Sequence, residues 1–320
     1  MPAPAHAPGR LPVIIDTDPG IDDMLALFLA LASPELDVRG ISVSYGNTVV
    51  EHAHRNAVEI VRRAGKRVTL GCGARRPLRR PLAVALETHG PSGLGDAELT
   101  PAGMVLDFAR TLERLLAEQP EPVTLVTLGP LTGLALALRR DAALVRAKVS
   151  RHLAMVGALE VAGNTTPYSE FNAWCDPEAL DIVLRAELPT EMVGLDVTRQ
   201  VVLSGEEIAR LGQVEAPLAR WIHAALKFYL EFHRTYDKLD GCVINDVLPI
   251  AELLQPGVLS FHPLWLKVGL ENGDNRGRTK AHPDGARVDV ADAVQVEAVR
   301  GLLFDRVLTW LAGSLTGGSR

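Results

Sequence analysis

Cysteine is scarce in this 320-residue chain: Cys72, Cys175 and Cys242 lie far apart and form no Cys-x-x-Cys pair. That spacing disfavours both a disulfide framework and a thiolate metal site, and a reducing cytoplasm is the expected compartment. Excess positive charge is also missing. The 33 lysines and arginines are outnumbered by 39 aspartates and glutamates, giving a formal net charge of −6. No overall field therefore draws the chain to nucleic acid or to a membrane of anionic lipid, and small-molecule partners are expected instead. No apolar run approaches the roughly 20 residues needed to span a bilayer. The opening residues, rich in Ala and Pro, lack the apolar centre of a signal peptide, and residues 1–10 read as a disordered tail. Low-complexity segments, fixed-period repeats and long Gly/Ser linkers are absent as well, so residues 11–315 are expected to form one domain.

What the chain does have is apolar material, 47% of its residues, enough for an extensive core. Residues 11–15 form a short apolar run ending in Asp, and residues 24–31 are strongly helix-forming, so Pro19-Gly20 marks a strand-to-helix turn. The same beat recurs. Further strands are expected at 38–43, 67–70, 123–127, 153–156 and 191–195, interleaved with helices at 49–63, 103–118, 131–138 and 177–185. Strands that alternate with helices, and carry continuous apolar runs, indicate a single-domain α/β fold: an open, mostly parallel, twisted sheet flanked by helices. Residues 196–255 read as mainly helical, most clearly at 218–229 after Pro217; a strand near 264–270 and a helix over 290–311 are expected to close the domain. In such sheets ligands bind beyond the carboxyl ends of the strands.

The first of those ends carries Asp16-Thr17-Asp18-Pro19-Gly20-Ile21-Asp22-Asp23. Asp16 and Asp18 leave one face of the backbone, and Asp22 and Asp23 follow in the first helical turn, so four carboxylates are expected to converge. A helix N-terminus stabilises negative charge by only about 0.3–1 kcal/mol, too little to hold several ionised carboxylates together. The plainer reading, helix capping, accounts for one aspartate or two, not four. A hard metal ion is the natural compensation, and Ca²⁺ tolerates irregular oxygen coordination, with Mg²⁺ left open by spacing alone. An EF-hand loop needs alternating oxygen ligands and a distant Glu that this segment does not supply. Phosphatases with an Asp-x-Asp nucleophile want Thr or Val where Gly20 stands.

This turn resembles the hallmark of the inosine-uridine type nucleoside hydrolases, which are calcium-dependent nucleoside N-ribohydrolases. The likeness continues through Tyr45-Gly46-Asn47, Leu128-Gly129-Pro130-Leu131-Thr132, the segment from Gly163 to Asn172, Asp176-Pro177-Glu178-Ala179, Asp240 to Asp246 and Arg276-Gly277-Arg278-Thr279. The resemblance implies a Rossmann-like nucleoside hydrolase fold and Ca²⁺ held by Asp18, Asp23, Asp246 and the main-chain carbonyl of Leu128. It also implies ribose recognition by Asp22, Asn47, Asn164, Glu170, Asn172 and Asp246, and a homodimer or homotetramer. Hydroxyls need both donors and acceptors, which a mixed Asp/Glu/Asn set provides.

Hydrolysis of an N-ribosidic bond to ribose and free base passes through an oxocarbenium-like cation. The metal would lower the pKa of a bound water, Asp18 would take its proton, and Asp22 with the other sugar ligands would hold the ribose. Leaving-group activation is where the sequence departs, because Asn245 stands where the family often has His, and an amide delivers no proton near neutral pH. His233, with Tyr236 close by, is the candidate acid, and His89 in a glycine-rich loop is a candidate base contact; each has a plainer reading as a surface or loop residue. Gly133 stands where the family commonly has Asn. Cys242, Trp174 and Trp265 read as core residues. Two alternatives follow from Asn245: a non-catalytic ribose- or nucleoside-binding protein, or a hydrolase of another N-riboside.

Overall fold

The computed structural model describes residues 9–100 and 106–308. Its strands, in chain order, are β1 (Leu11–Thr17), β2 (Leu36–Val43), β3 (Thr69–Cys72), β4 (Val123–Thr127), β5 (Val149–Met155), β6 (Thr190–Val193), β7 (Val202–Ser204), β8 (Gly241–Val243), β9 (Leu259–Val268), β10 (Thr279–Ala281) and β11 (Ala286–Val294). Nine of them form one sheet in the order β10-β9-β11-β6-β5-β4-β1-β2-β3, while β7 and β8 pair separately. From β3 across to β11 every neighbour is parallel; β9 runs antiparallel to β11 and to β10. Both edge strands are short, four residues in β3 and three in β10.

The apolar run of β1 explains why it lies at the centre. Val13 and Ile15 join one buried cluster and Ile14 the cluster on the other side, as the two-residue period of a strand requires when both faces are covered. Full burial of each such side chain contributes about 1.5–3 kcal/mol. The helix Ile21–Ala32 that follows is apolar nearly all round and buried from Ile21 to Leu31, the pattern of a helix enclosed by its neighbours.

Most expected elements occur, in the expected order, and several are corrected. The helix expected at 103–118 spans Leu112–Ala117, capped by the Thr111 hydroxyl, while 106–111 is irregular and 103–105 lies outside the described residues. The helix begun at Thr132 continues to Lys148, broken at Asp141. Leu195, expected at a strand end, opens the short helix Leu195–Thr198. The helix expected over 290–311 is divided. Val290 to Val294 complete β11, the helix is Val296–Leu303, a π-helical turn covers Phe304–Leu308, and the rest lies outside the described residues. β-branched valines alternating along β11 favour the strand there. Of the expected tail, residues 1–8 lie outside the described residues, and the Arg10 guanidinium donates to the Leu36 carbonyl. All three cysteines are buried free thiols. Among the described residues, no helix is long and apolar enough to cross a membrane.

His152, fully buried on β5, has Nε2 2.9 Å from the Thr127 hydroxyl and Nδ1 3.0 Å from that of Thr190. Burial lowers its pKa from the ordinary 6.5 to about 3. The folded chain therefore refuses a proton that the unfolded chain accepts. Stability is lost as pH falls from about 6.5 towards about 3, by up to about 1.4 kcal/mol per pH unit. Urea titrations between about pH 4 and 6 should give a flatter slope for His152→Gln; an unchanged slope would remove His152 as its source.

Candidate active site

Strand order reverses between β1 and β4, since the chain builds outward from β1 to β3 on one side and from β4 to β6 on the other. The crevice above such a switch point is where open parallel sheets bind ligands. Here the backbone tightens it, with the Leu128 amide donating to the Asp16 carbonyl at 2.8 Å. A cavity of about 870 Å³ opens at this point, lined among others by Asp22, His89, Leu128, Glu170, Asn172 and Asp246.

Its acidic floor differs from the expectation in one member. Asp16 is fully buried but stands apart: a Cβ on Gly133 would lie 3.3 Å from its Oδ2, so the glycine at that position makes room for this carboxyl. Burial pushes Asp16 up to about 7. Its place in the converging set is taken by Asp246, which arrives from the far end of the chain. One oxygen each of Asp22, Asp23 and Asp246 lie within 4.8 Å of one another, all buried. Asp23 does cap its helix, its Oδ2 accepting from the Gly20 amide at 2.9 Å and from Asn47 Nδ2 at 2.7 Å, while the Thr17 hydroxyl donates to Oδ1. Capping thus explains one aspartate.

Asp18 sits beside this group. Its Oδ2 accepts from the Asn47 amide at 2.7 Å, and its Oδ1 is buried with no hydrogen-bond partner among the described residues. Two glycines let it fit. A Cβ on Gly46 would stand 1.9 Å from Oδ2, and one on Gly129 2.3 Å from Oδ1. The glycines of two sequence motifs are therefore the walls that press on Asp18.

Burial comes first in raising Asp18 and Asp246 well above the usual carboxylate range, and the charge of neighbouring aspartates adds to it; Asp22 is pushed up to about 7 by burial and then by Asp23. No lysine or arginine pairs with any of them among the described residues. Burying an ionised carboxylate costs several kcal/mol, beyond what a helix N-terminus returns. The partnerless Asp18 oxygen and this all-oxygen set fit a hard divalent cation.

The expected sugar ligands surround the floor, and several also hold one another. Glu170 caps the helix Phe171–Cys175, accepting from the amides of Gly157, Asn172 and Ala173 at 2.9, 2.7 and 3.0 Å. Asn172 Nδ2 donates to the carbonyls of Leu128 at 2.7 Å and Met155 at 3.0 Å, leaving its Oδ1 for other partners. Asn47 is committed to Asp18 and Asp23. Asn164 is exposed at the mouth of the cavity.

The opposite wall is aromatic and neutral. His89 Nδ1 accepts from the Ile21 amide at 3.1 Å, so the ring proton resides on Nε2, and burial lowers its pKa to about 3, with His233 adding to the effect. His233, expected as the acid, opens the π-helical turn His233–Asp237. Its Nδ1 lies 2.9 Å from the Tyr229 carbonyl and its Nε2 accepts from the Val243 amide at 3.4 Å; burial lowers its pKa as well. Tyr236 is 65% exposed, its ring 5.0 Å from that of Phe232. Asn245 reaches Asp22.

Sequence reasoning missed Tyr229, a cavity residue whose ring lies between those of His89 and His233, tilted at 5.3 Å from the first and edge-to-face at 4.3 Å with the second. Its i,i+4 spacing to His233 was the available signal. Arg199 was also missed. It lines the cavity and ties down the segment bearing Asn164 through the carbonyls of Ala162 and Gly163 at 2.7 and 3.0 Å. Trp174, read as core, lines the cavity and stacks under Arg80, and Trp265 is 49% exposed; Cys242 is buried as expected. Other motifs brace. Thr279 bonds the amide and carbonyl of Ala158, and the Ser169 hydroxyl donates to the Arg276 carbonyl.

Over residues 13–301 the chain matches the family model described as inosine-uridine preferring nucleoside hydrolase. It is 36% identical over 273 residues to the pyrimidine-specific ribonucleoside hydrolase RihA of Photobacterium profundum, covering 84% of this chain and 87% of the relative. The corresponding protein of Citrobacter koseri is 37% identical over 274 residues, with 84% and 87% covered. Among solved structures, a plant nucleoside hydrolase superposes with a TM-score of 0.86 at 33% identity, over 94% of this chain and 99% of the other. The purine-preferring ribonucleoside hydrolase of Gardnerella vaginalis superposes with 0.87 at 28% identity, over 94% and 99%. Matched over most of its length by the family and by enzymes of one activity, the chain belongs to the inosine-uridine preferring nucleoside hydrolase family and is a nucleoside hydrolase.

Proposed function

We propose that the chain hydrolyses the N-ribosidic bond of ribonucleosides to ribose and free base, with Asp18 taking the proton from the attacking water. Asp18 itself carries this reading: a buried carboxylate pressed between two glycines, with one oxygen anchored and the other without a partner among the described residues. A general base needs such an oxygen within reach of the water whose proton it takes. Calcium is the proposed ion, held by Asp18, Asp23, Asp246 and the Leu128 carbonyl, an oxygen set that suits its irregular coordination. When bound, it supplies positive charge that keeps these carboxylates ionised and makes a nearby water easier to deprotonate.

Asp22, Glu170, Asn47, Asn164 and Asn172 are proposed to hold the ribose. Carboxylates on the sugar side stabilise the positive charge that develops there in the transition state. The flat base would lie along His89, Tyr229, His233 and Tyr236, where aromatic faces offer stacking area. His233 is proposed as a wall residue rather than a proton donor, because both of its nitrogens face backbone partners. The cytoplasm, where three free thiols stay reduced, is the proposed compartment.

The test is calcium-loaded protein with uridine, cytidine and inosine, read as released reducing sugar. The names of the two bacterial relatives put the pyrimidine nucleosides first. Turnover of any one supports the reading; none by a folded, calcium-loaded sample overturns it.

A further inference from the structure

Asn245 makes two contacts that fix its amide. The Thr198 hydroxyl donates to its Oδ1 at 2.8 Å, and its Nδ2 donates to Asp22 Oδ2 at 3.2 Å. An ionised carboxylate only accepts, so the reversed amide would set oxygen against oxygen at Asp22. Thr198 is fully buried, at the end of the helix Leu195–Thr198, and does not belong to the cavity lining, whereas Asn245 and Asp22 both do. Asp22 needs such a restraint. Beside the amides of Asp22 and Asp23, Asn245 provides the one hydrogen bond that its carboxylate receives from another side chain among the described residues.

We infer that Thr198 and Asn245 form a positioning chain for Asp22, so that the amide acts on the sugar half of the substrate and not on the departing base. The inference rests on the hydrolase reading above for what Asp22 holds. It makes Thr198, which touches no substrate, a residue on which ribose binding depends. The chemistry is simple: the ionised carboxylate takes an N–H from the amide, the buried hydroxyl donates to the amide oxygen that this leaves and so anchors it, and the carboxylate keeps the rotamer that faces the cavity.

The experiment compares the wild type with Thr198→Val, Thr198→Ser and Asn245→Ala at saturating calcium. Two ribosides are used: uridine, and 4-nitrophenyl β-ribofuranoside, whose leaving group departs as a phenolate without protonation. Ribose affinity is measured separately by calorimetry. Thr198→Val and Asn245→Ala should lower kcat/KM by roughly ten- to a hundredfold, by the same factor on both ribosides, with ribose affinity falling in parallel. Thr198→Ser should restore both. A loss on uridine that disappears on the nitrophenyl riboside would assign the amide to the leaving group and overturn the inference, as would unchanged rates and affinity. Asn245→Ala, at a half-buried position, carries the test if Thr198→Val does not fold. If the wild type cleaves neither the nitrophenyl riboside nor any of uridine, cytidine and inosine, the hydrolase reading fails, and ribose affinity alone decides the positioning chain: a fall in Thr198→Val that Thr198→Ser reverses upholds it, and no change rejects it.

Discussion

Asp18→Asn should lower kcat by roughly 10²- to 10⁴-fold, the usual contribution of a positioned general base, while ribose affinity changes far less. The substitution is chosen for its volume. With Gly46 and Gly129 pressing on both carboxylate oxygens, only an isostere occupies the cradle without displacing backbone. An amide oxygen at the same place still accepts from the Asn47 amide, so the turn keeps its anchor. What disappears is the capacity to take a proton. Steady-state kinetics with ribose as competitive inhibitor, together with the metal content of the variant, separates loss of the base from loss of the ion. A variant with bound calcium and an unaltered kcat would show that the proton goes elsewhere.

Chelation is expected to have the second large effect. Buried carboxylates without a basic partner repel one another, and that repulsion is what a divalent cation would relieve. A chelator should therefore reduce turnover by roughly a hundredfold or more. It should also destabilise the fold, since calcium at a hundred times its dissociation constant contributes about 2.7 kcal/mol. Calcium should restore both quantities, and magnesium should do so poorly, because its strict octahedral geometry suits an irregular set of buried carboxylates less well. Full activity and an unshifted melting temperature after exhaustive chelation would reject a resident ion.

How much of this was legible depended on how local the cause was. The acidic turn could be read because Asp18 to Asp23 are brought together by a strand end and one helical turn, geometry that six residues determine. Even so, period-two reasoning placed Asp16 with Asp18, whereas Asp16 is enclosed under the start of the helix Thr132–Lys148 and Asp246 completes the cluster. That exchange depends on packing between elements hundreds of residues apart. The strands β9, β10 and β11 were largely missed because exposed polar positions interrupt their apolar pattern, and because Val290 to Leu303 can be read with either period. Thr198 carried no signal. A buried threonine next to an arginine becomes meaningful only when the hydroxyl is seen on Asn245. His233 was singled out for its chemistry, yet its backbone neighbours decide what that chemistry is, and they are set by the fold.

The sheet ends on both sides in strands of four and three residues, one of them the last of an antiparallel turn. The β3 edge offers a second copy only a few unpaired backbone groups, but β10 covers only Leu266–Val268 of β9 and leaves Leu259–Leu264 without a strand neighbour on that side among the described residues. At the β3 edge, self-association of this chain would then be directed to side-chain surfaces. Backbone pairing, the route by which open sheets grow into fibres, would have to start from the uncovered stretch of β9.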